Sequence, residues 1–286
     1  MKKTARLLLC AFAVLILFPM TARADIGPKP SVVVDFNGLD TQTYYATLLS
    51  RQKTTGPYSA LGRPRAYQHY DKDDEDYDIF LRFAEYEDAD GYYFLQFFSD
   101  CSQTRRFSWT YYPPREFKIL LYFPETDRFV VSDKYERYAF DSYFTAVLSG
   151  TGLMVKKTYD YTGETISLIA RIALTIAAEL GIALLFGFRE KGLFRFIALV
   201  NVITQVALNV ALNIINYRSG EMAFVIFYVL LEIAVLVTEA VVYALCLKKR
   251  SLKKIPGWKP PVYALAANAV SFALGLGLAI WIPGIF

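Results

Sequence analysis

The sequence predicts an extracytoplasmic, mainly β domain of the β-sandwich type with one short helix, followed by an all-α membrane domain of four transmembrane helices. Three observations lead there. The C-terminal part of the 286-residue chain is a succession of long apolar runs, basic residues gather between particular pairs of those runs, and residues 25–163 are rich in aromatic and β-branched segments punctuated by turn residues.

At the N-terminus, Lys2, Lys3 and Arg6 precede an apolar run over residues 7–18, ended by Pro19 and followed by Ala22-Arg23-Ala24. A short cationic segment, an apolar segment shorter than a span and small residues at a cleavage site describe a signal peptide. Residues 1–24 are therefore expected to be removed, leaving Asp25 outside the membrane. Cys10 lies within the apolar segment and is no lipoprotein anchor. With Cys246 in an apolar run, Cys101 is the lone thiol of the outer domain, so no disulfide can form within it.

In residues 25–163, candidate strands lie at 31–37, 43–50, 92–99, 105–112, 116–123, 128–132 and 137–148. Between them fall breaks such as Asn37-Gly38, Gly56-Pro57, Asp90-Gly91 and Pro113-Pro114. Residues 74–86 differ: Ile79, Phe80, Phe83 and Ala84 recur at helical spacing, behind acidic residues that suit a helix N-terminus. Several β segments with one amphipathic helix predict the sandwich-like domain.

The spans are expected at about 164–188, 193–216, 222–247 and 262–282, each long enough at about 1.5 Å per residue to cross roughly 30 Å of hydrocarbon. If Asp25 is outside, the loops at 189–192 and 248–261 are cytoplasmic. Arg189, Lys191 and Arg195 flank the first, and Lys248, Lys249, Arg250, Lys253, Lys254 and Lys259 crowd the second, as the positive-inside bias requires. Residues 25–163 and the C-terminus are then outside. Trp258, Tyr263, Trp281, Tyr159 and Tyr161 stand where interfacial aromatic residues are expected. The same division explains the net charge of +4, because residues 25–163 hold 21 acidic against 16 basic residues, a net of −5. The basic surplus belongs to the inner loops and is no sign of nucleic-acid binding.

The stretches Asp25-Ile26-Gly27-Pro28-Lys29-Pro30-Ser31, Phe98-Ser99-Asp100-Cys101 through Trp109-Thr110-Tyr111-Tyr112-Pro113-Pro114, Leu180 through Arg189, and Asn201-Val202-Ile203-Thr204-Gln205 resemble a group of uncharacterised multi-pass membrane proteins of Gram-positive bacteria. The resemblance covers most of the mature chain. It implies a signal peptide, an extracytoplasmic domain and a helical membrane domain, and carries no activity or site residue with it.

Catalytic arrangements find little material. His69 is the only histidine, there is no Gly-rich nucleotide loop, and cysteines are too scattered for a zinc site, so the chain is read as a non-enzyme without cofactor or metal. The acidic run 71–78 lacks the EF-hand glycine and has Arg82 where the closing Glu belongs, which makes it a solvated approach to a helix. Trp109, Tyr111 and Tyr112 are either the wall of a ligand groove or ordinary core and cross-strand residues.

Polar residues inside the spans are the sharpest functional signal, because a charge at mid-bilayer costs about 2.5–3.5 kcal/mol and must face the bundle interior. Arg171 and Glu179 lie in the first span, and Glu232 and Glu239 in the third. Counting from the inner ends, Arg171 matches Glu232 in depth and Glu179 matches Glu239, which suggests an ion pair and a pair of acids. Asn201, Gln205, Asn209 and Asn213 recur every fourth residue along one face of the second span. Asn268 and Ser271 add polar groups from the fourth, beside a small-residue stripe at Ala269, Ala273 and Gly277. The network is either interhelical glue or the lining of a path for a proton, cation or small solute.

These features point to a cell-envelope protein whose outer domain binds or senses an external ligand and whose membrane domain anchors it. The alternatives are a small transporter or channel component using the intramembrane acids and a structural subunit of a membrane complex. Its expected partners are the lipid bilayer, a membrane protein or a second copy of the chain, and an extracellular ligand; nucleic acid is not among them.

Overall fold

The computed structural model describes residues 27–39, 42–62, 70–150 and 152–281. The signal-peptide expectation and His69 fall outside these residues. The N-terminal half is mostly β: β1 Ser31–Asn37, β2 Tyr45–Ser50, β3 Thr54–Thr55, β4 Tyr58–Ser59, β5 Tyr93–Phe94, β6 Ser99–Asp100, β7 Arg106–Trp109, β8 Glu116–Phe123, β9 Arg128–Glu136, β10 Asp141–Ser149 and β11 Gly152–Lys157. One helix, α1 at Tyr77–Glu85, interrupts the series.

The strands do not divide into the two stacked sheets of a sandwich. Apart from the small β3–β4 pair they form one sheet, in the order β5-β2-β8-β9-β11-β10-β1-β7, with β6 also paired to β2. Its curvature follows from ring contacts. In that order β2 and β1 are five steps apart, about 24 Å across a flat sheet at roughly 4.8 Å per step. Yet Tyr44, just before β2, meets Phe36 of β1 with ring centroids 5.5 Å apart. The sheet must therefore curl into a half-barrel. Side-chain alternation fills its concave side: Val32, Val34 and Phe36 from β1, Ala46 and Leu48 from β2, Phe117, Ile119 and Leu121 from β8, with Phe107 and Trp109 from β7.

The alternate residues of β2 and β8 build a second core on the other face. Leu49, Leu120 and Tyr122 pack there against Phe80 and Phe83 of α1, together with Phe94 and Phe98. Phe80 and Phe83 are fully buried, and each contributes about 1.5–3 kcal/mol through that burial. The helix thus replaces the second sheet as cover. This is why β8 is buried on both faces, and why Ile119 to Phe123 reads as a continuous apolar run rather than an alternating one.

Lys118 is the exception on β8. It is only 6% exposed, and its Nζ donates to Asp88 Oδ1 and Oδ2 at 3.0 Å and to Asp90 Oδ2 at 2.5 Å. Burial lowers the proton affinity of the Lys118 ammonium, but its bonds to Asp90 and Asp88 more than offset this and hold its pKa above the usual lysine value. Next to it the ladder slips between Lys118 and Leu120, where β9 carries the extra residue of a bulge. The Ser132 hydroxyl takes up the freed Ile119 N–H at 2.9 Å.

The Cys101 thiol is fully buried in the inner core, and burial pushes it up to about 12. A thiol held protonated and out of reach is expected to resist iodoacetamide in the folded protein at neutral pH and to react once the domain is unfolded. Mass spectrometry before and after denaturation checks this; full alkylation under native conditions would contradict the burial.

Three helices follow that are long and apolar enough to cross a membrane: α2 Tyr161–Leu185, α3 Lys191–Arg250 and α4 Lys259–Trp281. The 60 residues of α3 are not one rod. Gly220 has φ 80° and ψ 177°, outside helical geometry. Thr204 Oγ1 donates to Glu239 Oε1 at 2.6 Å, although an unbroken helix would hold these residues about 52 Å apart, 35 residues at about 1.5 Å each. The two arms, 191–219 and 221–250, therefore lie side by side as a hairpin with Gly220 at the tip.

That tip is docked on the β domain. Phe140 N donates to Tyr217 O at 2.8 Å, the Tyr159 and Tyr217 rings meet at 5.2 Å, and the Phe140 ring covers the face of Gly220 on which a side chain would stand. Residues 217–221, between two of the expected spans, are thus helix up to the turning residue, with Tyr217 half-buried and Gly220 buried against β-domain aromatics while Arg218, Ser219 and Glu221 stay exposed.

Candidate functional site

Along the helices, buried residues sort into three layers. At the end near the β domain, Leu208, Leu212, Phe224 and Tyr228 cluster, with Phe272 packed against them. At the opposite end, Phe188, Leu193, Ile197, Tyr243, Leu247 and Tyr263 form a larger apolar cluster. The layer between them is polar. Glu179 from α2, Asn201 and Gln205 from the first arm of α3, Glu239 from its second arm, and Asn268 and Ser271 from α4 are all at most 3% exposed.

These groups pair across the helices. Gln205 Nε2 donates to Glu179 Oε1 at 3.0 Å, and Asn209 Nδ2 donates back to Gln205 O at 2.8 Å. Glu239 receives the Thr204 hydroxyl on Oε1 and Asn268 Nδ2 on Oε2, the latter at 2.7 Å. Consecutive residues of one arm, Thr204 and Gln205, thus hold the two acids that share a depth. Tyr243 OH bonds Asn201 Oδ1, and Tyr263 OH donates to the backbone oxygen of Glu179 at 3.3 Å. All four helical stretches are joined by these bonds.

Some capacity is left over. Glu179 Oε2, Glu232 Oε2 and Asn268 Oδ1 are buried acceptors that receive no donor, and Asn201 Nδ2 is a buried donor with no acceptor. Arg171, 4% exposed, sits with its guanidinium 5.9 Å over the Phe224 ring. Asn213 continues the amide stripe but is only half-buried, near the β-domain end.

Sequence reasoning missed Thr204 and Tyr243 and misplaced Tyr263. Thr204 stands one residue off the amide stripe, where periodicity gives no warning. Tyr243 could have been found, since it extends the Glu232–Glu239 face by one further turn. Tyr263, expected at the membrane interface, is fully buried between Phe186, Phe188 and Tyr243.

The aromatic trio of the β domain is split. Trp109 is fully buried in the inner core against Tyr58, Phe97 and Phe107, its Nε1 donating to Tyr111 O at 2.9 Å. It is core rather than the wall of a groove. Tyr111 and Tyr112 lie near the surface edge to face at 4.9 Å, and Lys29 sits over the Tyr112 ring. The acidic run leads into α1 as expected, with Asp76 accepting from the Tyr45 hydroxyl at 3.2 Å.

A mostly β half-barrel followed by long apolar helices around a buried polar layer defines the class of protein structurally. Comparison with protein-family models, curated proteins and solved structures finds no match to the chain.

Proposed function

We propose that this is a multi-pass cell-membrane protein in which four helical stretches cross the bilayer, the β domain stands outside, and the membrane bundle is a rigid anchor for an outer binding or sensing module. Two features support the placement. Large apolar side chains such as Ile166, Leu185, Ile203, Val237 and Leu245 are exposed around the helices, which hydrocarbon would cover. Arg189, Lys191, Lys248, Lys249, Arg250 and Lys253 all belong to the end away from the β domain, where the positive-inside bias would set the cytoplasm.

The observation that carries the anchor reading is the layering. The hydrogen bonds of the polar layer tie all four helical stretches together, and the apolar cluster at the end away from the β domain closes it on that side. Orientation is tested with an impermeant maleimide on intact cells, using Gln103→Cys in the β domain and Leu252→Cys at the basic end, both at exposed positions. Labelling of the first alone, with the second reacting only after permeabilisation, is expected. The reverse pattern would invert the topology.

The donor-free oxygens of Glu179 and Glu232 favour a second reading, a small transporter or channel component that binds a proton or cation at the acids. Proteoliposomes decide between the two. Proton or cation flux in the wild type that is lost in the Glu179→Gln, Glu239→Gln double variant would displace the anchor reading.

A further inference from the structure

We infer that a lateral crevice between the second arm of α3 and α4 is a binding site for a single-chain amphiphile whose head donates hydrogen bonds, a long-chain alcohol or amine. The crevice encloses about 340 Å³ and is lined by Val229, Glu232, Ile233, Leu236, Leu265, Asn268, Ala269 and Phe272. Six of these eight residues are apolar, and a few fixed polar groups in an apolar wall of this size are what small-molecule sites present. Val229, Ile233 and Leu265 at its rim are 42–56% exposed, so the opening faces outward from the bundle.

Both polar lining residues have spare capacity of one kind. Glu232 is 6% exposed and Asn268 3%, and Glu232 Oε2 and Asn268 Oδ1 are buried acceptors without a donor. The remaining Asn268 valences are spent, Nδ2 donating to Glu239 Oε2 at 2.7 Å and to Ala264 O at 3.0 Å. An occupant that only accepts hydrogen bonds would leave both oxygens unsatisfied. A hydroxyl head has one hydrogen to give and meets one of these oxygens, whereas an ammonium head has three and meets both, while the chain lies along the apolar wall. The exposed rim residues leave the crevice open from the side.

This inference rests on the proposal that the helices cross a bilayer, and the experiment separates the two. The full chain in phosphatidylcholine nanodiscs is photolabelled with a diazirine analogue of dodecanol, and the modified peptides are mapped by mass spectrometry. Labelling is expected at residues 229–236 and 265–272, saturable and reduced at least five-fold by excess dodecanol or dodecylamine but not by dodecane; the more effective competitor identifies the head. Glu232→Gln, which keeps the shape and alters the head contact, is expected to weaken competition. Val229→Trp and Leu265→Trp, which fill the rim without touching the polar layer, are expected to abolish it. Labelling spread evenly over all apolar helix faces, or equal competition by dodecane, would overturn the site. Release of the protein from membranes by carbonate would instead overturn the bilayer-spanning reading beneath it.

Discussion

Replacing Lys118 with methionine is expected to destabilise the β domain by about 3–5 kcal/mol, the cost of removing one partner from a buried ion pair. Asp88 supplies the reason. Its side chain is 1% exposed, and besides both bonds from Lys118 it accepts from the backbone N–H groups of Asp90 at 3.0 Å and Tyr92 at 3.2 Å. Methionine would fill the volume and leave that carboxylate buried without its cation. Denaturant unfolding of the full chain in detergent, with hydrogen exchange followed in β8 and β9, measures the loss; a change below about 1 kcal/mol would show the pair to be dispensable. Adding Asp88→Asn should recover part of it, because the orphaned charge is gone.

The trio also fixes a pH window. Lys118 has a raised folded pKa, so its contribution is complete below the unfolded lysine value of about 10.4 and is lost as pH rises through the folded value. The Asp90 carboxyl is held low by its hydrogen bond from Lys118, so its contribution is present above an unfolded value of about 3.9 and is lost as pH falls through the folded one. Wild-type stability from this cluster should be level between those limits. The Lys118→Met variant should lack the alkaline decline.

Gly220→Ala is expected to have the larger effect on the helical domain. At φ 80° and ψ 177° the residue occupies a region essentially reserved for glycine, which costs about 1–3 kcal/mol for any other residue. A Cβ there would also stand 2.5 Å from Phe140 Cε1, so either the hairpin tip or the β-domain loop must move. The double variant Gly220→Ala, Phe140→Ala removes the collision and leaves the backbone strain, and should recover only part of the loss. Gly181→Ala serves as a control: it is within α2 with nothing inside 4 Å of an added Cβ, and should be neutral or up to about 1 kcal/mol stabilising. Thermal unfolding in detergent ranks the three, and equal melting of Gly220→Ala and wild type would show that the turn does not depend on glycine.

Local pattern made much of this legible. Ser31–Asn37 and Glu116–Phe123 are strands over the residues expected, because β-branched and aromatic runs between turn signals leave few alternatives. The 92–99 segment has the pattern of one strand, but Gln96 takes φ 58° and its side chain bonds Ser59 O at 3.0 Å, which splits it into β5 and β6. β11 gave no signal, since Leu153 is its one buried residue and it is held by backbone pairing with β10 and β9. Sandwich and half-barrel differ in how the sheet curves, not in local pattern, and so could not be separated from the residues. In the helices, spacing placed Glu179 and Glu239 at one depth, yet which groups would satisfy them depended on the rotation of neighbouring helices, which periodicity alone does not set.

The parallel pairing of β1 with β10 has a consequence for biosynthesis. Ser31–Asn37 emerges early, but its partner Asp141–Ser149 comes more than a hundred residues later, and β11 is only three residues from α2. The inner core cannot close while the ribosome is still making the middle of the domain, so Val32, Val34 and Phe36 await cover until the first long apolar helix follows. Sheet closure and delivery of that helix are therefore nearly simultaneous events. Any truncated β domain must extend to Lys157 to contain its own last strand.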